Sequence, residues 1–216
     1  MNKKQLAAFP FQFITHCTDR YDYYQSAEMA LQGGCKWIQL RMKDADIDEI
    51  KPIASRLKLL CKLHNAVFLL DDHVELCKVI DADGVHLGKQ DMHPKQARDI
   101  LGENYIIGST CNSFEDICES SKYPIDYIGV GPYRFTNTKK QLSPILGIEK
   151  YDFILKECRK NKINLPIVAI GGITADDILP ILGTGINGIA LSSAILQAES
   201  PIEETKKILI TIFQKK

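Results

Sequence analysis

Short apolar runs alternate along this chain with longer stretches in which apolar residues recur every three or four positions. The short runs have the length and composition of strands buried on both faces of a parallel sheet. The pattern predicts eight strands, at Phe11–Thr15, Trp37–Leu40, Val67–Leu70, Gly84–Leu87, Tyr105–Ile107, Tyr127–Val130, Ile167–Ile170 and Gly188–Leu191.

The longer stretches have the spacing and the end signals of amphipathic helices. Gly33 and Gly102 follow two of them, where glycine commonly ends a helix. Strands and helices that alternate over 216 residues fit the lower size limit of a (β/α)8 barrel. We predict an α/β fold, a single (β/α)8 TIM barrel domain over residues 1–216, with a doubly wound open sheet as the alternative. The predicted helices are Tyr21–Gln32, Asp46–His64, Pro94–Leu101, one that begins after Ser113, Ile148–Cys158, Thr174–Leu182 and Pro201–Phe213.

Composition and charge narrow the class of protein. Hydrophobic residues make up 45% of the chain, and 27 basic residues balance 27 acidic ones. The lack of a basic excess argues against a nucleic-acid partner, and no apolar run approaches the ~20 residues that span a bilayer. The 7 cysteines contain no C-x-x-C pair, which indicates reduced thiols. We therefore expect a cytoplasmic protein that binds neither nucleic acid nor membrane.

An amide and two cations follow the second predicted strand. Gln39, Arg41 and Lys43 alternate with apolar residues, so they point together at the mouth of a barrel. A guanidinium and an ammonium suit phosphate oxygens. Salt bridges from a solvated strand end to Asp44 or Asp46 are the alternative.

Carboxylates follow the third and fourth predicted strands. Asp71 and Asp72 come after one, and Asp91 comes after the other. Carboxylates on adjacent strand ends repel unless a cation or a shared proton relieves them, and Mg²⁺ suits such a pair beside a substrate phosphate. The alternative is that Asp71 or Asp72 caps the third helix. We expect His73 and His86 to be structural.

Three later loops carry polar and glycine-rich sequence. The longest non-periodic stretch, residues 131–146, has the length of a binding loop and contains hydroxyls and two lysines. Gly171-Gly172 after strand seven and Ser192-Ser193 after strand eight predict a phosphate cradle of backbone N–H groups and a helix start. Two anion sites beside a metal suit the departure of a pyrophosphate.

Five segments, in this order and spacing, resemble the thiamine-phosphate synthase family, also called thiamine-phosphate pyrophosphorylase. They read GGCKWIQLRMKD, FLLDDHVELCKVIDADGVHLGKQDM, DYIGVGPYRFTNTKK, PIVAIGGIT and NGIALSSAI. The resemblance runs from about Phe11 to Ile195. It implies a barrel transferase of thiamine biosynthesis, which uses Mg²⁺ to join 4-amino-2-methyl-5-hydroxymethylpyrimidine diphosphate to 4-methyl-5-(2-phosphoethyl)thiazole. The products would be thiamine phosphate and diphosphate.

The resemblance also assigns roles to single residues. It implies that the pyrimidine diphosphate is bound by Gln39, Arg41, Lys43, Asp71, Thr110 and Lys139, of which the cations Arg41, Lys43 and Lys139 would stabilise the leaving group. It implies that Mg²⁺ is held by Asp72 and Asp91. It implies that the thiazole phosphate is bound by Thr136, Thr138, Gly172, Ser192 and Ser193. The implied partners are these two small molecules, with a homo-oligomer left open.

This chain departs from the family at three places. Asp71 stands where the family usually has Asn, and it either adds negative charge or supplies an extra Mg²⁺ contact. Thr110 replaces a usual Ser and keeps the hydroxyl. Tyr133-Arg134-Phe135 replaces an aliphatic residue, Phe and Pro, so Arg134 either brings a further cation to the site or faces water.

Three other functions compete with this interpretation. A thiazole tautomerase on the same barrel typically has a His where this chain has Asn112, and it lacks the full metal pair. A non-catalytic phosphometabolite-binding barrel would keep the cradle without the chemistry. A sugar-phosphate epimerase needs an acid/base pair across the mouth of the barrel, which the sequence does not supply.

Overall fold

Eight parallel strands close into a barrel in the computed structural model, which describes residues 9–135 and 144–214. Each strand pairs with the next along the chain, and β1 also pairs with β8, with Phe11 opposite Ile189. The predicted (β/α)8 barrel is confirmed, and the open sheet is wrong. The strands are β1 Phe11–Ile14, β2 Trp37–Leu40, β3 Val67–Asp71, β4 Gly84–Leu87, β5 Ile106–Cys111, β6 Tyr127–Val130, β7 Ile167–Ile170 and β8 Gly188–Leu191.

Helices follow the strands, and α1, α4 and α5 begin after a residue whose side chain accepts from one of the first free N–H groups. Asp22 and Gln25 form a capping box at the start of α1, and Ser113 accepts from the N–H of Asp116 at the start of α5. The predicted stretch from Thr174 opens as a 3-10 turn, Ala175–Asp177, before α7. No helix in the described ranges has the length and apolar character needed to cross a membrane. The helices are α1 Tyr23–Gln32, α2 Ile47–Leu63, α3 Val74–Val79, α4 Pro94–Leu101, α5 Phe114–Ser120, α6 Gly147–Lys160, α7 Ile178–Gly183, α8 Ser193–Leu196 and α9 Pro201–Gln214.

Aromatic side chains fill the barrel interior near the starts of the strands. Trp37 opens β2 and Tyr127 opens β6, and their rings meet edge to face with centroids 4.9 Å apart. Gly108 on β5 makes this packing possible, because a β-carbon there would lie 2.2 Å from Cζ of Tyr127. These rings therefore fill the amino-terminal end of the barrel interior.

Most of the cysteines are core residues. All seven are free, and five of them are buried. Burial raises the pKa of the Cys35 and Cys77 thiols to about 12, so they stay protonated at neutral pH. These thiols therefore act as small apolar side chains.

We expect Gly108→Ala to lower the free energy of unfolding by about 1–3 kcal/mol, because the new methyl group overlaps the buried Tyr127 ring. In a Tyr127→Leu background, the same substitution should lower the free energy of unfolding by less, because the ring that the methyl group overlaps is gone. Lys51→Ala, at an exposed position of α2, is the control and should change the free energy of unfolding little. Thermal unfolding measures all four variants, and an equal loss with Tyr and with Leu at position 127 would contradict the packing argument.

Candidate active site

One cavity of about 1050 Å³ opens at the carboxyl ends of the strands. The loops that follow seven of the eight strands contribute to its lining. Both predicted anion sites therefore face the same cavity. Of the predicted site residues, those that line it are Arg41, Lys43, Asp91, Thr110, Gly172, Ser192 and Ser193.

Three carboxylates form a compact cluster beside this cavity. Asp71, Asp72 and Asp91 each offer an oxygen within 4.8 Å of the others. The backbone fixes their positions, because the N–H of Asp72 donates to the carbonyl of His86 at 2.9 Å. The N–H of Gly88 donates to Oδ2 of Asp91 at 2.6 Å. The expectation that adjacent strand ends bring these carboxylates together is confirmed.

Two cations hold the carboxylate cluster together. Lys43 Nζ forms ion pairs with Asp72, with Oδ2 of Asp91 at 2.8 Å and with Oδ1 of Asp71 at 3.8 Å. Arg41 Nε lies 3.2 Å from Oδ2 of Asp71. Burial alone would lower the pKa of Lys43, but the carboxylates outweigh it and raise that pKa. These ion pairs direct both cations to the carboxylate cluster.

Asp71 is the most deeply buried of the three carboxylates. Its side chain is 5% exposed, and burial raises its pKa to about 6, against the opposing effect of Lys43 and Arg41. His73 occupies the N-cap position of α3, and the side chains of Asp71 and Asp72 face the cations instead. The helix-capping interpretation of Asp71 and Asp72 is therefore wrong.

The carboxylate cluster has the chemistry of a Mg²⁺ site. Mg²⁺ takes oxygen ligands and is commonly held by one or two carboxylates together with substrate phosphate. Asp72 and Asp91 could supply those oxygens, and Asp71 lies close enough to add a third. The cation would share these carboxylates with Lys43, whose ammonium already partly neutralises them.

Gln39 lies inside the barrel just below the cavity. The residue is 2% exposed, and its Oε1 has no hydrogen-bond partner among the described residues. Leaving a buried acceptor unpaired costs about 1–3 kcal/mol, so this atom is poised to receive a donor from a bound molecule.

A chain of buried polar groups leads across the barrel to Thr110. Gln12 Nε2 donates to the hydroxyl of Tyr127 at 3.3 Å, and that hydroxyl lies 2.8 Å from Nδ1 of His86. His86 Nε2 lies 2.8 Å from Oγ1 of Thr110. The sequence analysis did not identify this series of hydrogen-bonded side chains. Its signal was the presence of Gln12 and His86 within otherwise apolar strands.

The loops after β7 and β8 carry the features expected of a phosphate cradle. Gly171 and Gly172 have φ of 95° and 66°, a region that side chains disfavour. Ser192 has a buried hydroxyl with no partner among the described residues, and Ser193 begins α8. Backbone N–H groups of such a turn, together with hydroxyls, are suited to phosphate oxygens.

The loop after β6 is described only at its two ends. Thr136, Thr138 and Lys139 lie outside the described residues, so their predicted roles remain predictions. Arg134 does not reach the diphosphate side as a further cation, and it does not simply face water. It forms an ion pair with Asp177, with Nη1 2.6 Å from Oδ2.

His16 and Tyr23 are among the cavity residues that the sequence analysis did not identify. His16 follows β1 and Tyr23 begins α1, and both line the cavity. Burial and the nearby Arg41 charge lower the pKa of His16, which favours the neutral ring. Examining the loop after the first strand, as was done for the later strands, would have found His16.

Comparison with known proteins gives consistent matches. A family model described as thiamine monophosphate synthase matches residues 11–195. A thiamine-phosphate synthase from Bacteroides thetaiotaomicron is 60% identical over 198 residues, which are 92% of this chain and 95% of that protein. One from Flavobacterium johnsoniae is 47% identical over 199 residues, which are 92% of each chain. A solved structure, the thiamine phosphate pyrophosphorylase from Pyrococcus furiosus, has a TM-score of 0.83 and 33% identity, and the match covers 95% of this chain and 96% of that one.

We expect the free energy of unfolding of the metal-free protein to fall as the pH rises from about 4 to about 6. Burial raises the pKa of Asp71 from 3.8 to about 6, so in this range the folded chain retains a proton that the unfolded chain has lost. Above that range Asp71 is ionised in both states, so its contribution to the free energy of unfolding no longer changes with pH. The change in the free energy of unfolding over this range is on the order of 3 kcal/mol.

Urea unfolding at a series of pH values measures this contribution. Asp71→Asn removes the titrating group, so its stability should depend less on pH over the same range. Asp99→Asn, at an exposed position of α4, is the matched control and should behave as the parent protein does. The same pH dependence in the Asp71→Asn variant would contradict the raised pKa.

Proposed function

This chain belongs to the thiamine monophosphate synthase family, and we propose that it joins 4-amino-2-methyl-5-hydroxymethylpyrimidine diphosphate to 4-methyl-5-(2-phosphoethyl)thiazole. As a member of this family it is an enzyme of the transferase class. The proposed products are thiamine phosphate and diphosphate. The observation that carries the proposal is that a carboxylate–cation cluster and a glycine–serine phosphate cradle face one cavity.

The carboxylate–cation cluster is the proposed site of the pyrimidine diphosphate. Arg41 and Lys43 would bind the diphosphate oxygens, and Asp72 and Asp91 would hold Mg²⁺, with Asp71 as an additional ligand. Mg²⁺ bound there would withdraw charge from the leaving diphosphate. Arg41 and Lys43 would stabilise the same charge, because both cations already lie at the cavity wall.

Gln39 and Thr110 are the proposed contacts to the pyrimidine side. The unpartnered Oε1 of Gln39 would accept a hydrogen bond from the exocyclic amino group, which supplies the donor that this buried atom lacks. Thr110 has its hydroxyl oriented by His86. Both contacts would set the plane of the ring relative to the departing diphosphate.

The proposed reaction needs no nucleophile from the protein. The amino group of the pyrimidine donates electron density as the bond between the exocyclic methylene carbon and the diphosphate oxygen breaks. The thiazole nitrogen then uses its lone pair to form the new carbon–nitrogen bond. The bonding pair of the broken bond leaves with the diphosphate, so the residues have to bind, orient and neutralise charge, and no proton transfer is required.

The cradle after β7 and β8 is the proposed site of the thiazole phosphate. Gly172, Ser192 and Ser193 line the cavity opposite the carboxylate cluster. Thr136 and Thr138 are proposed to add hydroxyls, and Lys139 is proposed to reach the diphosphate. Separate sites for the two phosphates would hold the thiazole nitrogen and the methylene carbon facing each other.

The tautomerase alternative is disfavoured by Asn112. Its side-chain nitrogen donates to the carbonyl of Gly131 at 2.5 Å, so it serves as a tether between two loops. An amide cannot exchange a proton as an imidazole does. The presence of both Asp72 and Asp91 also favours the synthase.

We further propose that residues 1–216 form one domain and that the protein acts in the cytoplasm. Seven free cysteines support a reducing compartment. A homo-oligomer stays a prediction.

We expect the purified protein to form thiamine phosphate from the two substrates and Mg²⁺, and Asp91→Asn to lower kcat at least about 100-fold. The reason is the loss of one carboxylate of the proposed Mg²⁺ site. Chromatography of the product measures the rate, and Asp99→Asn is the control at an exposed carboxylate. Affinity for both substrates without turnover in the parent protein would favour the non-catalytic binding barrel. A near-normal rate in Asp91→Asn would reject the metal assignment alone.

We expect Ser193→Ala to raise the KM for the thiazole phosphate several-fold, since a neutral hydrogen bond is worth about 0.5–1.5 kcal/mol. The KM for the pyrimidine diphosphate should change little. Initial rates with one substrate varied at a time separate the two constants, and Ser55→Ala on α2 is the matched control. Equal increases in both constants would mean that the two anion sites are assigned wrongly.

A further inference from the structure

The first residues of the loop after β6 lie along the first residues after β7. The N–H of Tyr133 donates to the carbonyl of Ile170, and the N–H of Arg134 donates to the carbonyl of Gly171, each at 2.9 Å. The Arg134 side chain continues this contact, because its Nη1 donates to the carbonyl of Gly172 at 3.3 Å. Arg134 therefore binds the carbonyl oxygens of both glycines in the proposed cradle.

These contacts also fix the N–H groups of the cradle. A peptide unit is planar and trans, so the carbonyl of one residue and the N–H of the next point in opposite directions. Holding the carbonyls of Gly171 and Gly172 therefore directs the N–H groups of Gly172 and Ile173 away from Arg134. Glycine is the residue with the widest choice of backbone conformations, so this turn depends on such restraints for a single orientation.

Asp177 anchors the Arg134 side chain. Both oxygens of its carboxylate take part, with Nη1 2.6 Å from Oδ2 and Nη2 2.8 Å from Oδ1. The backbone N–H and the hydroxyl of Thr174 also donate to Oδ2, at 2.9 and 2.7 Å. The Asp177 side chain is only 11% exposed, whereas that of Arg134 is 50% exposed. The fixed carboxylate therefore sets the position of the arginine.

The charge on Asp177 persists at neutral pH. Burial alone would raise the pKa of Asp177, but the hydrogen bonds from Arg134 and Thr174 outweigh it and hold that pKa below its ordinary value. The guanidinium of Arg134 is therefore neutralised by its partner. The Tyr133 ring restricts it further, since Cζ of Arg134 lies 5.2 Å from the centroid of that ring.

We propose that Arg134, held by Asp177, is a positioning residue that orients the N–H groups of Gly172 and Ile173 for the phosphate of the thiazole substrate. This inference rests on the function proposed above. Arg134 acts through the backbone and does not touch the phosphate itself.

The pair affects one substrate and not the other. Gly172 and Ile173 follow β7, whereas Arg41 and Lys43 follow β2 and bind the carboxylates after β3 and β4. Loosening the cradle should therefore weaken binding of the thiazole phosphate and leave the diphosphate site unchanged. A merely structural role would lower the melting temperature without this difference.

The test is the kinetics of Arg134→Gln, Arg134→Lys, Asp177→Asn and the double variant Arg134→Gln/Asp177→Asn. We expect Arg134→Gln to raise the KM for the thiazole phosphate about tenfold, or about 1.4 kcal/mol. The KM for the pyrimidine diphosphate and kcat at saturation should stay within about twofold. Arg134→Lys keeps the charge and should restore part of the loss. The double variant should be no worse than Arg134→Gln, because the two residues act as one unit.

Arg159→Gln is the matched control. Arg159 lies in α6, and its Nη2 donates to the carbonyl of Thr184 at 3.4 Å, before β8 and away from the cavity. Its kinetic constants should equal those of the parent protein. Melting temperatures of all variants show whether any change in KM accompanies a general loss of stability.

Calorimetric binding of the thiazole phosphate separates this proposal from the proposed function. If the parent protein binds the thiazole phosphate but forms no product, the synthase function fails, while weaker binding by Arg134→Gln still supports the pair. An unchanged KM and affinity for the thiazole phosphate in Arg134→Gln would overturn the positioning role of Arg134. Equal increases in KM for both substrates would overturn it as well. Failure of the parent protein to bind the thiazole phosphate would overturn both proposals.

Discussion

Closure of the barrel through the pairing of β8 with β1 is the constraint on which the candidate site depends. The proposed phosphate cradle follows β7 and β8, and the cations Arg41 and Lys43 follow β2. In an open sheet these residues would lie on distant strands, whereas closure places only β1 between β8 and β2. The rings of Trp37 and Tyr127 fill the interior at the other end, so the site is a cavity with a floor rather than a pore.

Within that cavity, the carboxylate cluster is an arrangement that only compensating charge can maintain. Three carboxylates within 4.8 Å of one another would repel strongly if all were ionised and unpaired. Lys43 contacts all three, and Arg41 contacts the most buried one, Asp71. Burial still raises the pKa of Asp71, so the cluster retains a preference for one more positive charge, which a proton or a metal ion can supply.

The sequence predicted the parts of the molecule that depend on neighbours along the chain or on adjacent strands. Five strands have the predicted last residue, and the carboxylate cluster followed from the order of β3 and β4. The prediction ended β5 at Ile107, whereas the strand continues to Cys111. The extension was missed because Gly108, Ser109 and Thr110 are small or polar and give no apolar pattern. The Arg134–Asp177 pair was not predicted, since 43 residues separate its members and only the packed loops bring them together.

The two anion sites differ in how they could recognise a phosphate, and this difference can keep the substrates apart. The diphosphate site offers side-chain charges that carboxylates already partly neutralise, so a more highly charged group together with a metal ion gains most there. The cradle offers backbone N–H groups and serine hydroxyls, which suit a single phosphate without a metal ion. Arg134 could have changed that balance by adding charge to the cradle. Because Asp177 neutralises it, the arginine contributes geometry rather than net charge, which would leave the proposed cradle suited to a monophosphate.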